Sequence, residues 1–337
     1  MESSLAAVRD DPYRERALSR LQDALGPTVL KALSDPAIDE ILLNCDGSLF
    51  VEERGGQLRP AGSMDAGAAA ALVRTLASLS GRELKPAAPV FSGQMPVSGA
   101  RFEGLLPPLV SAPSFAIRKH NALILSLSAL VETGMLSAAC ADFLRAALLK
   151  RRSIVIAGGT GCGKTTLVNA LLNELKELSP TERILTLEDT PELHVALENR
   201  LYLYTTAEAD LALLLRSALR LRPDRIVVGE VRGAEALDLV DALSTGHSGG
   251  LTTVHAGSVG QALKRLVLLI SRHPAAPRYI EDTLAEALDL IVLLTRHPQR
   301  HVAAVAAVKG YADGQFLIDY PLRAQDPALL LRDKEVL

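Results

Sequence analysis

The stretch "GGTGCGKTT", residues 158–166, follows the apolar run "SIVIA" and precedes the amphipathic segment "LVNALLNELKEL". Gly158, Gly163, Lys164 and Thr165 have the spacing G-x-x-x-x-G-K-[ST]. In this pattern the glycines let backbone N–H groups turn inward around phosphates, and the positive end of the following helix points at them. A strand, this loop and a helix, in that order, therefore predict a site for a nucleoside triphosphate.

The whole loop is expected to contact the nucleotide. The Lys164 side chain would reach the β- and γ-phosphates, and the Thr165 hydroxyl would coordinate Mg²⁺. Cys162 stands where a small side chain fits, and nothing in the sequence indicates a redox role for it. The residues predicted to bind ATP are Gly158, Gly159, Thr160, Gly161, Cys162, Gly163, Lys164, Thr165 and Thr166.

Buried strands and helices alternate from about residue 136 onward. Runs such as "RILTLED", "RIVVGE" and "GLTTVHA" are largely apolar, and amphipathic segments lie between them. Strands of this kind are typical of a mainly parallel sheet covered by helices on both faces, which predicts an α/β fold. The last segments, "LDLIVLLTRH", "HVAAVAAVKGY" and "GQFLIDYPL", resemble antiparallel strands added to that sheet.

The first part of the chain has a different pattern. Short strands, an Ala- and Leu-rich helix and turn-rich segments up to about residue 120 predict a smaller mixed α+β domain. A chain of 337 residues is long enough for two separate cores. The predicted organisation is an N-terminal domain over 1–120, a linker over 121–135 and a nucleotide-binding domain over 136–337.

Composition excludes several classes of function. The 36 basic and 39 acidic residues leave a formal net charge of −3, and aromatic residues make up only 4%. Direct nucleic-acid binding is disfavoured, because it usually needs a basic excess and aromatic stacking surfaces. Cys45, Cys140 and Cys162 form no C-x-x-C pair, which argues against a zinc site or a disulfide framework. Without a signal-peptide pattern or a long apolar run, a soluble cytoplasmic protein is expected.

Acidic side chains end two of the predicted strands. Glu188 and Asp189 close "RILTLED", and Glu230 closes "RIVVGE". The carboxyl ends of parallel strands meet at the ligand crevice of such a sheet. Phosphoryl transfer to water needs one carboxylate that orients or deprotonates the water and another that holds Mg²⁺. We therefore assign Glu188 and Glu230 to catalysis and, with Thr165, to the metal site; helix capping is the alternative for both acids.

Histidine and arginine candidates complete this set. His255 closes the predicted strand "GLTTVHA", where it could donate to the γ-phosphate or sense its loss, whereas His247 remains open between such a role and a plain structural one. Arg101 in "RFEGLLPP" and Arg118 in "SFAIRKH" lie in the first domain. Guanidinium groups stabilise transferring phosphates, although the residues alone favour surface ion pairs for these two.

Several blocks together resemble one protein family. "AGGTGCGKTT", "TLEDTPEL", "RPDRIVVGEVRG" and "TGHSGGLTTVHA", with "RFEGLLPP" and "SFAIRKH" upstream, are similar to the secretion-ATPase superfamily of bacterial type II and type IV secretion. Within it the resemblance is to conjugal-transfer ATPases of the TrbB type, over nearly the whole chain from about residue 35. The resemblance implies a RecA-like C-terminal ATPase domain, a homohexameric ring of two-domain subunits, nucleotide between the domains, and ATP turnover at the inner membrane.

Residue roles also follow from the resemblance. It implies that Glu188 belongs to an acidic box, that Glu230 is the acid of the second Walker motif, and that His255 belongs to a histidine box. Arg101 and Arg118 resemble the family's functional arginines. Whether Glu188 or Glu230 is the general base remains open.

The expected function is a hexameric Mg-ATPase that powers type IV secretion, in conjugal DNA transfer or in assembly of its apparatus. The tetracysteine zinc module and the extra N-terminal domain of many type II secretion ATPases are missing from the sequence, which favours the type IV branch. Inner-membrane components of the apparatus would be the partners, with peripheral association at that membrane. A pilus or type II secretion motor, a nucleotide-gated structural ring and a nucleic-acid motor are the alternatives.

Overall fold

A computed structural model describes residues 12–53, 56–96, 98–119, 125–206 and 208–323. The chain divides into two compact units, Met1–Asn121 and Ala122–Leu337. Those parts of the predicted domains and linker that fall on residues 1–11, 54–55, 97, 120–124, 207 and 324–337 lie outside the described residues. Within the described ranges, no helix combines the length and the apolar character needed to cross a membrane.

The first unit consists of helices and an antiparallel sheet. Its elements are α1 (Pro12–Ser34), β1 (Ile38–Leu43), β2 (Ser48–Glu53), β3 (Gln57–Ser63), α2 (Ala66–Leu79), β4 (Val90–Gln94), β5 (Arg101–Leu105) and β6 (Ser114–Arg118). The strands pair in the order β3-β2-β1-β6-β5-β4, and every neighbouring pair is antiparallel.

Local sequence explains the helix boundaries in this unit. Gly26 has φ 67° and Pro27 follows it, so α1 is broken there into two helical segments. The Asp65 side chain caps α2 by accepting hydrogen bonds from the backbone N–H groups of Gly67 and Ala68. The Ala- and Leu-rich helix predicted from the sequence is thus confirmed.

One strand of the first unit is not apparent in the sequence pattern. All residues of β3 are exposed or half-buried, and Pro60 lies within the strand. Because β3 pairs only with β2 at the edge of the sheet, it needs neither an apolar face nor a complete set of N–H donors. Its sequence therefore lacks the alternation from which a strand is usually predicted.

The second unit alternates strands and helices. Its elements are α3 (Leu127–Glu132), α4 (Ala138–Leu149), β7 (Ile154–Gly158), α5 (Lys164–Leu178), β8 (Ile184–Glu188), β9 (Arg200–Tyr204), α6 (Leu211–Ala218), β10 (Arg225–Val228), α7 (Ala236–Ser244), β11 (Leu251–Val254), α8 (Val259–Ile270), α9 (Ile280–Ala287), β12 (Leu290–Thr295), β13 (His301–Ala312) and β14 (Gln315–Arg323).

These strands form one mixed sheet in the order β14-β13-β12-β7-β11-β10-β8-β9. The pairs from β12 through β7, β11, β10 and β8 to β9 are all parallel, which confirms the predicted α/β fold with a mainly parallel sheet. The prediction that all three last strands are antiparallel additions was wrong for β12. This strand is parallel to β7 and antiparallel to β13, because α8 and α9 form a crossover before it.

Cores on both faces of the sheet explain the continuously apolar strands. Every residue of β7 is buried, although successive side chains point to opposite faces. Ile154 and Ile156 belong to the core that includes α3, α4 and α5, whereas Val155 and Ala157 belong to the core that includes α6, α7, α8 and α9. A strand that is covered on both sides has no position for an exposed polar residue.

The predicted linker over 121–135 differs from the structure where the chain is described. Leu127 and Leu130 of α3 are buried in the same core as α4 and α5, and Met135 and Leu136 follow them into it. These apolar side chains make the segment from α3 onward part of the second unit rather than a separate connection.

Candidate functional site

The glycine-rich loop connects β7 to α5 at the carboxyl edge of the parallel strands. Gly161 and Gly163 have φ values of 71° and 96°, a region that residues with a Cβ rarely adopt. A Cβ atom on Gly158 would lie 2.4 Å from Sγ of Cys162 and 2.8 Å from the carbonyl oxygen of Leu294. Backbone conformation and close packing therefore require the glycines of the motif at these positions.

Cys162 contributes its backbone to the loop while its side chain belongs to the core. The side chain is only 1% exposed and packs against Gly158. Burial raises the pKa of the Cys162 thiol, and the positive charge of Lys164 opposes that shift. A small apolar side chain is what this position holds, so only the backbone of Cys162 is available to a phosphate.

Lys164 begins α5 and is buried, with 8% exposure. Its Nζ donates to the carbonyl oxygens of Gly158 and Gly159, each at 3.1 Å, and lies 3.5 Å from Nδ1 of His255. The ammonium group is thus held directly over the loop, beside the end of β11.

Thr165 contacts a carboxylate that the sequence analysis did not assign. Its Oγ1 donates to Oε2 of Glu192 at 3.1 Å. One helical turn further along α5, Asn169 donates to the backbone oxygen of Glu192 at 2.9 Å and accepts from the N–H of His194 at 2.8 Å. Since residues four apart share one face of a helix, Thr165 and Asn169 together hold the loop after β8 against α5.

Glu188 ends β8, and its side chain forms hydrogen bonds to the backbone of the loop that follows β8. Its Oε1 accepts from the backbone N–H groups of Glu192, at 2.8 Å, and Leu193, at 2.9 Å. The residue is 3% exposed, and its Oε2 is buried with no hydrogen-bond partner among the described residues. Burial raises the pKa of Glu188 to about 7, although the two N–H groups lower it. Its carboxyl group therefore positions the backbone of Glu192.

Glu230 follows β10 and lies between two basic side chains. Its Oε1 is 3.1 Å from Nε2 of His255, and its Oε2 is 2.8 Å from Nη2 of Arg232. Nη1 of Arg232 is 3.5 Å from Oδ2 of Asp189. Lys164, His255, Glu230, Arg232 and Asp189 thus form one line of polar contacts across the carboxyl ends of β7, β11, β10 and β8.

The tautomer of His255 follows from its contacts with Lys164 and Glu230. If Nε2 carries the hydrogen, it donates to Glu230, and the lone pair on Nδ1 faces the Lys164 ammonium. A doubly protonated ring would instead direct an N–H at that ammonium. The neutral ring with hydrogen on Nε2 is therefore the form that suits both neighbours.

The structure brings together Lys164, Thr165, Glu230 and His255 as the sequence analysis expected. His247 is different, because it precedes β11 and so lies at the opposite edge of the sheet. The contact of Glu192 with Thr165 was missed, because Glu188 was the acidic residue assigned in "TLEDTPEL" and Glu192 was given no role. Its carboxylate four residues after Glu188 is the one signal in the sequence that could have indicated it.

Arg101 and Arg118 belong to the first unit, on β5 and β6. They stand directly opposite each other in the antiparallel ladder, and Nε of Arg118 is 3.5 Å from Oε1 of Glu40. Burial raises the pKa of Glu40, and the charge of Arg118 opposes this shift.

The donor set of the second unit fits a nucleotide with Mg²⁺. A loop of inward-turned N–H groups and a lysine suits phosphates. Mg²⁺ takes oxygen ligands, retains several waters and is usually held by one or two carboxylates with a hydroxyl and phosphate oxygens. The hydroxyl of Thr165 and the carboxylate of Glu192, 3.1 Å apart, are ligands of that kind beside the phosphate loop.

Comparisons with known proteins agree with this arrangement. Residues 100–314 match the model of the family described as "Type II/IV secretion system protein". The "Probable conjugal transfer protein TrbB" of Sinorhizobium fredii is 42% identical over 305 residues, which cover 90% of this chain and 93% of that protein. The "Type IV secretion system protein PtlH" of Bordetella pertussis is 34% identical over 338 residues, covering 90% of this chain and 97% of its own length.

A solved structure shares the fold. The pilus retraction motor PilT with bound ADP has a TM-score of 0.59 and 19% sequence identity, and the match covers 91% of this chain and 86% of that one. The family match and the two relatives lead to a plain assignment: the chain belongs to the type II/IV secretion system protein family, among the conjugal transfer and type IV secretion ATPases.

Proposed function

We propose that this protein is a Mg-ATP-hydrolysing motor of type IV secretion, and that conjugal DNA transfer, or assembly of its apparatus, is the process it powers. The convergence of Lys164, Thr165, Glu192, Glu230 and His255 at one edge of the parallel sheet carries this proposal. The similarity to a conjugal transfer protein over 90% of the chain supports the choice of process.

Binding would use the loop N–H groups and Lys164. A phosphate above the loop would accept from the Lys164 ammonium in place of the carbonyl oxygens of Gly158 and Gly159. Thr165 and Glu192 would hold Mg²⁺ directly or through its waters. When bound, the ion neutralises charge on the β- and γ-phosphates. The metal-binding roles of Glu188 and Glu230 stay predictions.

Hydrolysis would depend on a carboxylate that orients or deprotonates water. Glu230 is the proposed base, because His255 and Arg232 fix both of its oxygens beside the lysine. Glu188 and Glu192 are the other candidates. Glutamine variants separate the three, since the base is the residue whose loss stops turnover while nucleotide binding persists.

We further propose that the second unit is a RecA-like ATPase domain and that the chain acts as a homohexamer at the cytoplasmic face of the inner membrane. Components of the secretion apparatus there would be its partners. Arg101 and Arg118 would supply guanidinium groups to the phosphates. Their direct opposition in the β5–β6 ladder supports this role, because it places two guanidinium groups close together on one strand pair.

The test is steady-state Mg-ATP hydrolysis measured against protein concentration, with wild type mixed with rising fractions of Glu230→Gln. A ring motor predicts a specific rate that rises with concentration and falls more steeply than the inactive fraction. Independent sites predict a flat specific rate and linear dilution. Strong stimulation of hydrolysis by DNA would instead favour a nucleic-acid motor. A Glu230→Gln variant that supports full transfer without hydrolysing ATP would favour a ring that only binds ATP.

A further inference from the structure

A basic side chain outside the recognised motifs lies beside the phosphate loop. Strand β12 is parallel to β7, and Leu294 is the register partner of Gly158, so the chain leaves β12 at the same edge as the loop. Two residues later, Nη1 of Arg296 lies 3.5 Å from the position that a Cβ atom on Gly161 would occupy. The guanidinium group therefore adjoins the glycine turn whose N–H groups would face a bound phosphate.

The segment after β12 leads to the start of β13, which is linked to the same loop through Met135. The N–H of Val302 donates to the carbonyl oxygen of Met135 at 2.7 Å. Cε of Met135 lies 2.7 Å from the Cβ position of Gly163. Burial raises the pKa of the Cys162 thiol, and the positive charges of Lys164 and Arg300 oppose that shift. The chain therefore leaves β12 and enters β13 near the phosphate loop.

The order of strands indicates which end of a nucleotide this segment would meet. Glu192, Glu230 and His255 follow β8, β10 and β11, all of which lie on one side of β7. Strand β12 is the neighbour of β7 on the other side. If the γ-phosphate reacts among the carboxylates, the α-phosphate and nucleoside extend away from them, toward Arg296.

We propose that Arg296 is a further cation of the nucleotide site, where its guanidinium binds the α-phosphate and so the nucleoside end of the nucleotide. This inference rests on the proposed function, because it requires a nucleotide on the phosphate loop. A guanidinium presents a planar fork of N–H donors that matches two phosphate oxygens, and a lysine at the same position would retain only part of that interaction.

The experiment compares full-length wild type with Arg296→Ala, Arg296→Lys and the control Arg272→Ala, which removes an exposed arginine after α8. Calorimetry measures the Kd of Mg-ADP, and steady-state kinetics give kcat and KM for ATP. Loss of a charge-assisted hydrogen bond should raise the Kd and the KM of Arg296→Ala roughly 10- to 100-fold. Because ADP and ATP share the α-phosphate, kcat should stay within about threefold of wild type.

The lysine variant should be intermediate, and the control should match wild type. A residue that only supports the loop would lower the thermal midpoint without this separation of KM from kcat. An unchanged Kd for ADP in Arg296→Ala, with normal binding by wild type, would overturn this inference alone. A reduced kcat at unchanged Kd would also overturn it. Absence of nucleotide binding by wild type would overturn the proposed function together with it.

Discussion

Nε2 of His255 lies 3.1 Å from Oε1 of Glu230, and Nδ1 of the same ring lies 3.5 Å from Nζ of Lys164. The imidazole therefore connects the lysine expected at the γ-phosphate with the carboxylate expected at the attacking water. A phosphate that draws the ammonium away would change the partner of Nδ1 and, through the ring, the hydrogen bond to Glu230. His255 is positioned to couple phosphate binding to the carboxylate that we propose as the base.

Glu230→Gln should retain nucleotide binding and lose turnover. The amide keeps the size of the side chain but cannot accept the proton of water, so kcat should fall by ~10²–10⁴-fold. Glu286→Gln, on the exposed surface of α9, is the matched control and should hydrolyse ATP like wild type. Phosphate release and calorimetric ADP binding are the two measurements. A variant with unchanged kcat would transfer the role of base to Glu188 or Glu192.

Gly158→Ala should destabilise the second unit, whereas Gly159→Ala should not. The new methyl on Gly158 would lie 2.4 Å from Sγ of Cys162 and 2.8 Å from the backbone oxygen of Leu294. Around the Cβ position of Gly159, apart from its chain neighbours, no atom of the described residues lies within 4 Å. Overpacking of this kind costs about 1–3 kcal/mol, against less than about 0.5 kcal/mol for an unhindered surface change. Urea unfolding without nucleotide compares the two variants, and equal free energies of unfolding would contradict the packing argument.

The stability contributed by Glu188 should depend on pH. Burial raises its folded-state pKa from 4.5 to about 7, so the folded protein binds the proton more tightly than the unfolded chain. The contribution is fully present below about pH 4.5 and is lost as the pH rises through about 7. At about 1.4 kcal/mol per pKa unit, the loss has an upper limit of about 3 kcal/mol.

Glu188→Gln should remove this dependence, because the amide stays neutral and its oxygen still accepts the two backbone N–H groups. Between pH 5 and pH 8, the free energy of unfolding of wild type should fall relative to that of the variant. Urea titrations in EDTA and without nucleotide measure the difference. Glu286→Gln again serves as the control. A difference that is constant with pH would show that Glu188 does not titrate in this range.

Much of the second unit could be predicted from the sequence, because its strands are apolar on both faces and its phosphate loop has a fixed spacing. The direction of β12 could not be predicted, since a buried strand has the same pattern in either orientation. β3 was missed for the opposite reason: an exposed edge strand has no apolar periodicity to detect.

Some residues of the candidate site could likewise be predicted from the sequence, and others could not. Glu230 and His255 immediately follow predicted strands, and their position at the sheet edge follows from that alone. Glu192 and Arg296 come from loops, and their contacts depend on how those loops fold back on α5 and on the phosphate loop. Such long-range contacts have no local pattern in the sequence.

Arg101→Ala and Arg118→Ala should each reduce ATP hydrolysis by at least about tenfold, as expected when a guanidinium that stabilises the transferring phosphate is removed. Folding should be little affected. Arg101→Ala relieves the opposition of like charges across the β5–β6 ladder, and Arg118→Ala loses an ion pair with Glu40 worth about 0–1 kcal/mol. Arg59→Ala, on β3 of the same sheet, is the control and should leave hydrolysis unchanged.

Mixing two inactive variants decides whether Arg101 acts on its own subunit or on a neighbour. Lys164→Ala should abolish turnover, because the β- and γ-phosphates lose their main cation. In a ring where Arg101 acts across subunits, an Arg101→Ala subunit has an intact phosphate loop and can receive the arginine of an adjacent Lys164→Ala subunit. Mixed rings should then recover part of the wild-type rate. If Arg101 acts within its own subunit, the mixture stays inactive, and hydrolysis by Arg101→Ala alone at the wild-type rate would return that arginine to a surface role.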